Sequence, residues 1–164
     1  LRLELPVGAQ DIRNGFAFVE LPGRFQVLPG RPAVVLDVAH NPHAAATLAQ
    51  NLDQMGFFRY THAVFGSMAD KDIDGVLARF AGSIDHWHFC DLPTPRAATA
   101  QALQARLLAQ GFKPGADASV SCHASPGDAF AQVVGQAGDD DRIVVFGSFY
   151  TVAGVLAWRR ARAH

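Results

Sequence analysis

Short apolar runs alternate along the chain with segments whose apolar residues recur at helical spacing. Arg24 to Leu28 reads as a short strand, and Pro29-Gly30-Arg31-Pro32 as a turn. Ala33-Val34-Val35-Leu36 is an unbroken, β-branched apolar run, the habit of a strand buried on both faces of a parallel sheet. Asp37 interrupts it at its carboxyl end. Asn41 suits an N-cap and Pro42 the first helical position, so an Ala- and Leu-rich helix is predicted to about Met55, with Gly56 as its C′ residue. The alternation then repeats. Strands are predicted at His62 to Gly66, Asp85 to Cys90, Ala118 to Cys122 and Arg142 to Phe146. Helices are predicted at Ile73 to Phe80, Thr99 to Gln110, Ser125 to Gly138 and from the Gly147 loop to Arg160. This pattern implies an α/β fold: a doubly wound, mostly parallel, Rossmann-like sheet of about six strands flanked by helices. Right-handed crossovers collect the strand-end loops on one edge, where such sheets bind ligands.

Composition narrows the class. The 164 residues are 49% hydrophobic, enough for one domain with a real core. The formal charge is −1 and no basic run occurs, which argues against nucleic acid or an anionic membrane as partner. No stretch has the length and apolarity of a membrane span. Cys90 and Cys122 are far apart and form no metal or redox motif, so they are expected to be reduced thiols of a cytoplasmic protein. Leu1 is not a natural start. Residues 1–23 read as a lead-in from a preceding domain, broken by Leu21-Pro22-Gly23, and 24–164 as the domain proper.

Three strand-end loops carry the polar chemistry: Asp37 to Asn41, Gly66 to Asp72 and Gly147 to Thr151. Glycine there lets the backbone turn sharply and approach a ligand, and Ser67 and Ser148 follow with a hydroxyl and an N–H. The plainer alternative for each pair is a common Gly-Ser turn. The helix start after Asn41 also offers free N–H groups to an anion such as phosphate. Elsewhere the signals are weaker. His86 and His88 share a strand face, but no third metal ligand is evident. His40 and His43 lie three apart near a helix start. Asp139-Asp140-Asp141 reads as a solvated charge run, and Arg159, Arg160 and Arg162 suit a helix end.

Four stretches carry a resemblance: Leu21-Pro-Gly-Arg-Phe-Gln26, Leu36-Asp-Val-Ala-His-Asn-Pro-His43, Gly66-Ser-Met-Ala-Asp-Lys-Asp72 and Phe146-Gly-Ser-Phe-Tyr-Thr-Val152. In these the chain resembles the C-terminal domain of the folylpolyglutamate synthase and dihydrofolate synthase family, within the Mur ligase superfamily. The Phe-Gln pair and the Met-Ala-Asp-Lys-Asp loop look more like its bacterial bifunctional branch. The resemblance implies an ATP-dependent ligase in folate biosynthesis. ATP converts a pteroate or folate carboxylate to an acyl phosphate, which the amino group of L-glutamate attacks. It also implies Mg²⁺, held with the phosphate loop in a central ATPase domain. This chain has no Gly-x-x-x-x-Gly-Lys-Ser/Thr, so it alone is expected to be inactive.

The same resemblance implies roles. Arg24 matches a nucleotide-binding arginine of the interdomain linker, suited to phosphate oxygens. Asp37 matches a nucleotide-contacting aspartate, with a cap for the next helix as the alternative. His40 is the expected catalytic residue near phosphate or the transferring group, beside Asn41, an N-cap and nucleotide contact. Ser148 and Tyr150 fall where the incoming glutamate is expected, and Lys71 is either an anion contact or a solvated lysine. No metal ligand is expected in this chain. The implied partners are glutamate, dihydropteroate or folate and the preceding domain, in a monomer. Two other readings stay open: a stand-alone nucleotide-binding module, and a ligase acting on a peptidoglycan precursor.

Overall fold

A computed structural model describes residues 24–163; the lead-in Leu1 to Gly23 and His164 lie outside the described residues. Six strands form one sheet: β1 (Gln26–Leu28), β2 (Ala33–Leu36), β3 (Thr61–Phe65), β4 (His86–Cys90), β5 (Ser119–His123) and β6 (Arg142–Phe146). Their order is β1-β2-β6-β3-β4-β5. β1 runs antiparallel to β2, and all other neighbours are parallel. The five helices are α1 (Pro42–Asp53), α2 (Ile73–Ala78), α3 (Ala100–Ala109), α4 (Pro126–Gln136) and α5 (Phe149–Arg162). The predicted elements are all present, with ends shifted by a few residues.

Side-chain alternation along the strands divides the core in two. Val35, Ala63, Phe65, Trp87, Phe89, Val144 and Phe146 pack with residues of α1, α2 and α3. Val34, Leu36, Val64, Cys90, Ile143 and Val145 pack with α4 and α5. The continuous apolar reading of β2 and β6 thus has its cause: both faces of each strand are covered.

Polar side chains set the helix starts. Asn41, Asp72, Thr99, Ser125 and Ser148 each accept a backbone N–H from the first turn that follows. Gly56 adopts φ 98° two residues beyond the C-cap Gln54, so it turns the chain one step later than the sequence suggests. The sequence marks Arg142 only as the start of a buried strand. Its buried guanidinium donates to the Leu52 carbonyl at 2.6 Å and to Thr61 Oγ1 at 3.0 Å, tying the end of α1 to the start of β3.

The charge run at 139–141 is not uniformly solvated. Asp140 pairs with Arg31 at the surface. Asp141 is buried and contacts His62 Nε2 at 3.0 Å and the Gly138 amide at 3.0 Å. Burial alone would raise its pKa, but the Gly138 amide and His62 outweigh that and hold it below the usual carboxylate range. Among the described residues, no helix is long and apolar enough to cross a membrane. Cys90 and Cys122 are both free thiols.

Candidate functional site

The site is the carboxyl edge of three adjacent strands. β6 lies between β2 and β3, pairing Leu36 with Val145 and Phe65 with Phe146. The loops after Leu36, Phe65 and Phe146 therefore leave the sheet side by side. Asp37 extends the first contact, its N–H donating to the Val145 carbonyl at 3.0 Å. Asp37 and Ser148 accordingly share one edge.

Asp37 does not cap α1; Asn41 does, accepting the Ala44 N–H at 2.8 Å. Asp37 Oδ1 accepts the Ala39 N–H at 2.8 Å, and Oδ2 accepts the Phe25 N–H at 3.0 Å. The second bond reaches back to the segment before β1. There Phe25 has φ 41°, a left-handed conformation costly for a bulky residue, while its ring packs against the core under α1 to α3. Asp37 thus holds the turn that carries Arg24. Burial pushes its carboxyl above the usual carboxylate value, against the pull of the Ala39 and Phe25 amides and of the Arg24 charge. Arg24 itself is exposed.

His40 is exposed, and its Nδ1 lies 3.0 Å from the Val38 carbonyl. A carbonyl only accepts, so Nδ1 carries the hydrogen and the neutral ring keeps its lone pair on Nε2. His43 enters α1 and shares no ligand group with His40: among the described residues, no set of three His, Cys, Asp or Glu side chains is placed to hold a metal ion.

The two Gly-Ser loops meet each other. Gly147 has φ 114°, and a Cβ there would collide with the Gly66 carbonyl oxygen. A Cβ on Gly66 would lie 2.7 Å from Leu92 Cδ2 and 3.0 Å from Thr151 Oγ1. Glycine at both positions permits this loop-to-loop packing. Ser148, 7% exposed, is the N-cap of α5 and accepts the Thr151 N–H at 3.1 Å. Its hydroxyl also lies 2.9 Å from Thr151 Oγ1, which donates to the Gly66 carbonyl at 2.9 Å. The sequence gives Thr151 no role of its own: the cap it completes uses its backbone N–H, and the contact of its hydroxyl with Gly66 is tertiary. Tyr150 is half-buried against the face under α4 and α5. Lys71 is exposed, and the loop it belongs to is tied to the next by Ala69 N–H to Arg96 O and Ala98 N–H to Ser67 O, at 2.8 and 2.9 Å.

Two cavities, of about 530 and 430 Å³, lie at the opposite, amino edge. Gly30, Phe57 and Asp139 line the first; Tyr60, His62 and His86 line part of the second. The carboxyl-edge residues line neither of them.

A model of the Mur ligase, glutamate ligase domain, matches residues 23–149. The dihydrofolate synthase/folylpolyglutamate synthase of Escherichia coli K12 is 39% identical over 152 residues, covering 93% of this chain and 34% of that protein. The structure of E. coli FolC in complex with DHPP and ADP superposes with a TM-score of 0.79 at 36% identity, covering 98% of this chain and 36% of that one. A bifunctional folylpolyglutamate synthase/dihydrofolate synthase with Mn, AMPPNP and L-glutamate bound gives a TM-score of 0.72 at 38% identity, covering 96% of this chain and 36% of the other. The chain thus spans about a third of the length of these relatives. With the sheet order, the strand-end loops and the family match in agreement, the chain belongs to the Mur ligase family as its glutamate ligase domain.

Proposed function

We propose that this domain works in an ATP-dependent ligase that joins the amino group of L-glutamate to the carboxylate of dihydropteroate or a folate. The observation that carries the reading is the convergence of the Asp37, Gly66 and Ser148 loops on one sheet edge, the edge where open α/β sheets bind ligands. The relatives' names and their complexes with ADP, AMPPNP, DHPP and L-glutamate support it.

In the reaction, a substrate carboxylate oxygen attacks the γ-phosphorus of ATP and ADP leaves. The glutamate nitrogen then adds to the acyl carbon, loses a proton, and phosphate departs as the amide forms. Arg24 binds phosphate oxygens of the nucleotide, on a turn that Asp37 holds in place. Asp37 keeps further lone pairs for a ribose hydroxyl. Asn41 fixes the start of α1 beside the nucleotide. His40 Nε2 is the basic atom available to the transferring group or the departing proton. Ser148 and Tyr150 flank the incoming glutamate. On this reading Mg²⁺ would be held by the preceding ATPase domain, where it would neutralise the phosphate charge. On this reading the protein is a cytoplasmic monomer.

The test uses the full-length protein and substrate labelled with ¹⁸O in the reacting carboxylate. An acyl phosphate moves one labelled oxygen into the released phosphate, in step with amide formation. Unlabelled phosphate, or ATP hydrolysis without amide, overturns the reading.

A further inference from the structure

Thr151 is fully buried, yet its hydroxyl bridges two loops that come from different strands. The directions of these hydrogen bonds follow from chemistry. The Gly66 carbonyl only accepts, so the single Thr151 hydrogen goes to it. The contact between Ser148 Oγ and Thr151 Oγ1, at 2.9 Å, then takes its hydrogen from Ser148. Ser148 Oγ also accepts the Thr151 N–H at 3.1 Å. With its hydrogen committed, the Ser148 hydroxyl has only a lone pair left to offer.

Resting on the ligase reading, we propose that Thr151 is a positioning residue. It clasps the Gly66 loop to the Gly147 loop and presents Ser148 as a hydrogen-bond acceptor toward the amine of the incoming amino acid. The packing around it agrees. Gly147 touches the Gly66 carbonyl so closely that no side chain fits, and Gly66 leaves Thr151 Oγ1 no room for a Cβ beside it. The two loops therefore have one relative arrangement, and the Thr151 hydroxyl is the polar link that holds it. A valine at 151 fills the same volume without the hydrogen. The Gly66 carbonyl then loses its donor, and the freed Ser148 hydrogen can point at the amine and oppose it.

The experiment compares wild type, Thr151→Val and Thr151→Ser in the full-length protein. It measures kcat, KM for glutamate, KM for ATP and amide hydrogen exchange of peptides 65–72 and 146–152. Thr151→Val is expected to raise KM for glutamate and lower kcat about tenfold, the scale of one lost hydrogen bond, with KM for ATP unchanged. Exchange should rise in both loops together. Thr151→Ser should restore both readouts. If Thr151→Val does not fold, Thr151→Cys, with a weaker donor in similar volume, replaces it. Faster exchange or lower stability with unchanged kinetics overturns the positioning role, as does a serine variant as impaired as valine. A wild type without glutamate-dependent turnover overturns the ligase reading itself.

Discussion

Asp37 commits its two carboxylate oxygens to two backbone amides twelve and two residues away. That arrangement decides what its amide replacement does. Asparagine has one carbonyl oxygen, so Asp37→Asn leaves either Phe25 N–H or Ala39 N–H facing an NH₂ group. An unpaired buried donor costs about 1–3 kcal/mol. A melting point lowered by about 2–4 °C per kcal/mol is expected for a chain of this size. Phe25 at φ 41° loses its tether, so Arg24 moves with it, and KM for ATP should rise in the full-length protein. An unchanged ATP dependence with lowered stability would make Asp37 a backbone clamp only. Arg24→Ala separates the two effects. Arg24 is exposed, so stability should hold, whereas losing a charged hydrogen bond to phosphate, about 1.5–3 kcal/mol, raises KM tenfold or more. Coincident losses of stability and ATP affinity in Arg24→Ala would contradict this. The sequence pointed to Asp37 at the strand end, but the link to Phe25 N–H is a tertiary contact that no local pattern encodes.

At the scale of elements, β3, β4 and β5 bring four histidines together beneath α4. Register pairs His62 with His86, and His88 with Ser121. The rings of His62 and His86 stack at 4.8 Å, those of His62 and His88 lie at 6.0 Å, and those of His88 and His123 at 5.6 Å. Two-residue spacing made the shared face of His86 and His88 legible. His62 and His123 join them only through strand order, which periodicity does not reveal. His88 is 1% exposed, and burial, then the neighbouring histidines, push its pKa down to about 3. His86 and His123 are lowered as well, chiefly by burial. The acids facing the row are Asp141 on His62, Asp85, Asp117 and Asp141 near His86, and Asp128 of α4 near His123. With His88 neutral when folded, the unfolded chain binds the extra proton below its ordinary pKa of about 6.5. Stability is therefore full above that value and is lost as pH falls toward 3, by about 1.4 kcal/mol per pH unit for His88. His88→Asn should flatten the fall in urea-unfolding free energy between pH 6.5 and 4. A slope equal to wild type would place the acid sensitivity elsewhere in the row.

Among the described residues the Asp37, Gly66 and Ser148 loops share one open sheet edge, and this bears on what the chain can do alone. The alternation of strands and helices was legible because β2 and most of β6 are continuous apolar runs and each helix opens on a capping side chain. The insertion of β6 between β2 and β3 was not, since it depends on which helix covers which face. Yet that insertion sets Asp37 beside Ser148. On the proposed reading the edge so formed offers Arg24, Asp37, His40 and Asn41 to a nucleotide, but the chain has no Gly-x-x-x-x-Gly-Lys-Ser/Thr loop to cradle the phosphates. A half-site of this kind binds with only part of the contact energy and fixes no reacting geometry. The 164-residue chain is therefore expected to fold, to bind ATP more weakly than about 1 μM, or about −8 kcal/mol, and to form no amide from glutamate. Calorimetric titration with ATP measures the first quantity, and glutamate-dependent release of phosphate the second. Sub-micromolar ATP binding by this chain would instead mark a complete nucleotide site, and with it a stand-alone nucleotide-binding module rather than one domain of a ligase.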